Sequence, residues 1–184
     1  MERKHLILKL SAIIVTTIVI VIFVYNQAYV KNTYLGNDSL AGIHLMQKAD
    51  KVILEKELGK LVKDNIDDKG RLLFFDSRPY YVTVRVDKNN EVIGIFVEYT
   101  KKISNTKFNT SRNIGPECSF YDVIEAYGSN YYKKTYGDFM GSGDGYFITY
   151  VDKKQNTSIE FEFTKGNPNS DNEEEFLTHI TLKK

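Results

Sequence analysis

The chain states one pattern twice, and that repetition limits its fold more than any other feature. The first copy runs Gly42-Ile43-His44-Leu45, Asp50-Lys51-Val52-Ile53, Leu58-Gly59 and then Tyr80 to Asn89. The second runs Asn113-Ile114-Gly115, Tyr121-Asp122-Val123-Ile124, Tyr127-Gly128 and then Tyr146 to Asn156. In each, an isoleucine-led strand end precedes an apolar helix that closes on glycine, and alternating strand sequence then turns at Val-Asp-Lys. Each unit has one apolar face, and two such faces close a core that neither closes alone. The repeat predicts an α+β fold of two related units, each a short helix packed on antiparallel sheet, over about residues 42–100 and 113–183.

Local signals fill in the units. Phe120, Val123, Ile124 and Tyr127 fall at i, i+3, i+4 and i+7, one face of a helix. Ser119 with Asp122 forms a capping-box pattern before it, and Gly128 supplies the residue that ends it. In the first copy Ala49, Val52 and Ile53 repeat the stripe, and the spacing to Gly59 predicts a helix that reaches Leu61 or Val62. Tyr80, Val82, Val84 and Val86 alternate with polar residues, Lys88-Asn89-Asn90 turns, and Val92 to Tyr99 returns, a β-hairpin. Phe147 to Val151 and Ile159 to Phe163 predict a second hairpin in which Glu160 and Glu162 mark the solvent face. A last strand, Phe176 to Leu182, follows the polar loop Lys165 to Glu175.

Between Leu10 and Val24 there is no charge, and the eleven Leu, Ile, Val and Phe residues favour insertion by roughly 5 kcal/mol in total. A helix over this region spans about 30 Å, the thickness of a bilayer core. Arg3, Lys4 and Lys9 precede it, so the positive-inside bias places residues 1–9 in the cytoplasm, a transmembrane helix at 10–25 and the rest outside. The expected organisation is thus a single-pass signal-anchor at the cell membrane, a linker at 26–39 and an extracytoplasmic domain at 40–184. The competing reading is a cleaved signal peptide, against which Tyr25-Asn26-Gln27-Ala28 puts Asn26 where a small residue is wanted.

Composition narrows the chemistry. Charged residues are 27% but the net charge is only +1, which leaves no field to attract nucleic acid. The single cysteine, Cys118, rules out an intramolecular disulfide and a lipid anchor on a processed cysteine, and reads as a plain half-buried thiol. Histidines 5, 44 and 179 have no metal-ligand spacing, so neither a metal nor another cofactor is expected. Two stretches echo calcium loops, Asn167 to Asn172 and Asp64 to Gly70, but each lacks a required ligand: Thr178 stands at position twelve of the first and Ile66 at position three of the second. The loop Gly137 to Gly145, with Asp138 and Asp144, is glycine-rich without the Lys-Ser/Thr and helix that a phosphate cradle needs. No catalytic residue emerges.

The run from Asn113 to Gly128 (NIGPECSFYDVIEAYG) resembles the helix-to-glycine signature of β-lactamase-inhibitory-protein-like domains, which are similar also to the small lipoprotein of the outer-membrane assembly machinery. The resemblance covers about residues 42–183, with Met46 where the family tends to carry glycine and Lys60 or Ser129 where proline is common. It implies helices on an antiparallel sheet and protein binding by a sheet surface, with no catalytic residue carried over.

One constellation stands apart from the scaffold. Tyr131, Tyr132, Tyr136, Phe139 and Tyr146 surround the glycine-rich loop, and rigid amphipathic rings are common protein-binding anchors. These five are the candidate partner-binding residues. The function expected is a non-catalytic, membrane-anchored extracytoplasmic binding domain that engages an envelope or surface protein. The alternatives are an envelope-directed hydrolase, or a secreted binding or inhibitory protein.

Overall fold

A computed structural model describes residues 15–20, 32–100, 106–137, 144–164 and 175–184. Residues 15–20 form helix α1, and Asn32–Lys184 form one compact unit. The elements of that unit are β1 (Ser39–Leu40), β2 (Ile43–His44), α2 (Lys51–Leu58), β3 (Lys60–Asp67), β4 (Gly70–Ser77), β5 (Tyr80–Val86) and β6 (Val92–Tyr99). After a 3-10 turn at Thr106–Phe108 come α3 (Phe120–Tyr127), β7 (Tyr132–Tyr136), β8 (Gly145–Asp152), β9 (Thr157–Thr164) and β10 (Phe176–Lys183).

Two four-stranded meanders, β3 to β6 and β7 to β10, each follow a helix of eight residues. They meet where β6 pairs antiparallel with β10, giving one eight-stranded antiparallel sheet in the order β3-β4-β5-β6-β10-β9-β8-β7. The expected α+β class is corrected by this. The protein is predominantly β, with one continuous sheet in place of two helix-backed sheets. The strands missed from the pattern lie mainly at 60–77. There the first helix stops at Gly59, with φ 93° and its N–H bonded to Glu55 O, rather than reaching Leu61 or Val62.

The expected transmembrane helix falls largely outside the described residues. Residues 15–20 are helical. Among the described residues no helix is long and apolar enough to cross a membrane, so the expected single-pass anchor is not borne out there. The expected linker is described from Asn32, and there it belongs to the sheet unit. Thr33 N–H donates to Val151 O, Leu35 N–H donates to Asp152 Oδ2, and both Leu35 and Asp38 are buried.

Strand alternation gives the sheet one buried face. Val82, Val84, Ile95, Val97, Ile148, Tyr150, Ile159, Phe161, Ile180 and Leu182 are all within 1% of full burial. Helix α3 sets Val123 and Tyr127 into this face, α2 sets Leu54 and Leu58, and the β1–β2 ribbon adds Leu40 and Ile43. The α3 start is held as its sequence dictates: Ser119 N–H donates to Asp122 Oδ2 at 2.6 Å and Asp122 N–H donates back to Ser119 Oγ at 3.3 Å. The Ser119 hydroxyl, which donates to Asp122 Oδ2 at 2.7 Å, and the Ser119 N–H hold the Asp122 carboxyl below the ordinary carboxylate range. The other sheet face carries the partly exposed Thr83, Phe96, Glu98, Thr149, Glu160, Glu162, His179 and Thr181.

An ion pair between buried Asp38 and half-buried Arg112 ties the residues before β1 to α3. Asp38, whose side chain is 2% exposed, receives two bonds from Arg112 at 3.0 and 2.9 Å, one from Ser111 Oγ at 3.0 Å and one from Tyr127 Oη at 3.2 Å. Arg112 also donates to Ala126 O and Tyr34 O while its guanidinium lies 4.3 Å from the Tyr127 ring centroid. Every donor of this buried cluster that the bonds account for ends on an oxygen, which is what burial of a charge demands.

Candidate binding groove

Strand alternation decides where the candidate tyrosines go. In β7, Tyr132 is opposite Thr149 and Tyr136 opposite Gly145, on the partly exposed sheet face, while Lys133 is opposite Ile148 and Thr135 opposite Tyr146, on the buried-face side. Tyr131 and Tyr146 pack toward the helices: Tyr131 meets the Phe120 ring at 5.7 Å and Tyr150 at 6.0 Å, and Tyr146 stacks on Phe163 at 5.3 Å. Tyr146 is buried, Tyr131 and Tyr136 are half-buried, and Tyr132 is exposed. Phe139 lies outside the described residues, as do Asp138 and the Asn167 to Asn172 stretch. The four described tyrosines therefore do not share one face; a period-two backbone splits them between two.

Between the start of α3 and the β7–β8 pair lies a groove of about 710 Å³, lined by Ser119, Phe120, Tyr121, Lys133, Thr135, Tyr136, Gly137, Asp144, Gly145, Tyr146 and Glu175. Lys133 Nζ is 3.7 Å from the Tyr146 ring centroid and 5.4 Å from that of Phe120, a cation held on two aromatic faces. Burial raises the Glu175 carboxyl above its ordinary range, an effect that the Lys133 charge opposes. Tyr121 stands at the groove's edge, 80% exposed. Gly145 admits the ring of Tyr136: a Cβ there would lie 2.3 Å from the Tyr136 hydroxyl.

Tyr136 also joins this groove to a polar cluster on the exposed face. Its hydroxyl donates to Glu162 Oε1 at 2.6 Å, and Glu162 Oε2 lies 2.6 Å from His179 Nδ1. His179 stacks on Phe96 at 5.1 Å, and its Nε2 is 3.9 Å from Glu98. Register makes the cluster, since His179 is directly opposite both Glu98 and Glu162. Burial raises the Glu162 carboxyl, and the bonds from His179 and Tyr136 more than offset it, leaving the group below its ordinary range. A depressed carboxylate stabilises the fold fully above its unfolded pKa and loses that contribution as pH falls through the folded value. The stability advantage of wild type over Glu162→Gln is therefore expected to shrink as pH falls below about 4.3, as urea titrations at stepped acid pH would read.

Burial pushes the Cys118 thiol up, away from the thiolate that a nucleophile requires, and its Sγ sits 3.4 Å from Gly115 N and 3.6 Å from Asn113 O. Among the described residues no group of three or more His, Cys, Asp or Glu side chains could hold a metal ion. Asp64 and Asp67, weighed as calcium ligands, pair with Arg71 at 2.5 Å and Arg85 at 2.9 Å.

Lys133, Phe120, Tyr121 and Glu175 were not among the binding residues expected from the sequence, although the adjacent Lys133 and Lys134 between tyrosines were a usable signal. No protein-family model matches the chain, and no curated protein or solved structure matches it either.

Proposed function

We propose that this chain is a non-catalytic binding module that takes a segment of another protein into the groove between α3 and the β7–β8 pair. The observation that carries this reading is the Lys133 ammonium poised over Tyr146 and Phe120, with Glu175 and Asp144 on the lining and Tyr121 exposed beside it. An aromatic floor with mixed charge suits a segment that has both apolar and polar side chains. The resemblance of residues 113–128 to β-lactamase-inhibitory-protein-like domains supports protein binding over turnover, as does the raised thiol of Cys118.

Site-specific photocrosslinking in intact cells tests the reading. A photoreactive residue in place of Tyr121 is expected to give a discrete adduct that Lys133→Glu reduces by roughly tenfold. The same probe at Val52, 76% exposed on α2, is the control. Adducts of equal yield at both positions, or an adduct at 121 that Lys133→Glu leaves unchanged, would overturn it.

A further inference from the structure

Strand β3 ends the sheet, and no strand pairs with its outer side among the described residues. Its counterpart at the opposite end, β7, is five residues long and carries Lys133 and Lys134. β3 is eight residues long and exposes Val62 at 58% and Ile66 at 81%. A long edge with exposed apolar side chains is a template for another strand.

The charges on this edge select what that strand is. Pairing β3 with a second β3 about a two-fold axis normal to the sheet keeps each face on its own side, so directly opposed residues must come from the same face. The axis must then pass midway between two copies of one residue, and only the regular stretch beyond the irregularity at Leu61/Lys63 is open to such pairing. Centred on Lys63 or Asp64, the axis opposes two like charges directly. Centred on Ile66, it sets Asp64 against Asp68 and Lys63 against Lys69. Centred on Asn65, it sets Lys63 against Asp67 twice and Asp64 against Ile66 twice, with Asn65 facing itself.

Lys63 and Asp67 share the partly exposed face, where Lys63 Nζ lies 5.7 Å from the Phe74 ring and Asp67 meets Arg85. We infer that β3 pairs with β3 of a second copy in this single register, so that one sheet continues through two molecules. Such a pair puts the two α3 grooves at the far ends of the joined sheet, a bivalent arrangement.

The test uses the full chain with Cys118→Ser, which removes the native thiol, and Asn65→Cys, which places one thiol on the proposed axis. Opposed strand residues lie about 4.5–5.5 Å apart at Cα, within disulfide reach. Mild oxidation is expected to yield a disulfide-linked dimer. Adding Lys63→Asp should cut the yield roughly tenfold, because each Asp67 then faces a second carboxylate in place of an ammonium, and Lys63→Asp with Asp67→Lys should restore it. Association through any other surface would leave the three yields alike. That result, a chain that stays monomeric, or an adduct at position 65 with a different protein overturns the pairing.

Discussion

Replacing Arg112 with Ala is expected to lower the stability of the sheet unit by about 3–5 kcal/mol, because it strands a carboxylate that folding has taken out of water. Asp38 is 2% exposed, and Arg112 supplies two of the bonds that compensate it. The same substitution frees Ala126 O and Tyr34 O and uncovers the Tyr127 ring. For a domain of this size the loss corresponds to a fall in Tm of roughly 10 °C. Lys48→Ala, which breaks the exposed pair with Glu91 at 2.9 Å, should shift stability by about 0.5 kcal/mol or less. Asp38→Asn separates charge from packing: it keeps acceptors for Ser111 and Tyr127 but leaves the guanidinium unneutralised. Thermal and urea unfolding of the set would read all three. A loss at Arg112 no larger than that at Lys48 would show that residues before β1 are not fastened through this pair.

That ion pair also marks the limit of what the sequence discloses. Asp38 and Arg112 are 74 positions apart, and neither belongs to a periodic segment, so nothing local announces them. Where the signal is local it was legible. The Ser119/Asp122 cap, the apolar stripe and Gly128 locate α3, and alternation from Tyr80 to Tyr99 locates β5 and β6.

Strands β3 and β4 escaped for opposite reasons. β3 lies exposed at an edge and has no apolar face to alternate, whereas Leu72-Leu73-Phe74-Phe75 in β4 is apolar on both faces and reads as neither period. Those two strands turn an α+β expectation into a predominantly β protein. The candidate tyrosines failed as a patch through register: neighbours in sequence are on opposite faces of a strand, and Tyr131 and Tyr132 divide accordingly. Register also builds the His179–Glu162–Tyr136 chain, which no spacing could show.

The second large effect is expected at Phe161, where substitution by Ala should cost about 3–5 kcal/mol. Phe161 is fully buried on β9 and receives the Tyr127 ring at 5.2 Å and the Tyr150 ring at 6.2 Å. These rings couple α3 to the sheet, since Tyr127 comes from the helix and also meets Tyr150 at 5.2 Å. Shortening Phe161 leaves a void bounded by rigid rings and by Ile148, Ile180 and their neighbours in strand positions that cannot collapse without breaking ladder bonds. Tyr150→Phe isolates a smaller contribution. It keeps the ring and removes only the hydroxyl that donates to Gly128 O at 2.8 Å, for an expected loss of about 1 kcal/mol. Because Gly128 ends α3, that bond fixes the helix end directly over the sheet. Phe161→Ala combined with Arg112→Ala should be less than additive, since both release Tyr127 and the second has less to lose once the first is gone. Additive losses in urea unfolding would mean that the charge cluster and the aromatic stack hold α3 independently.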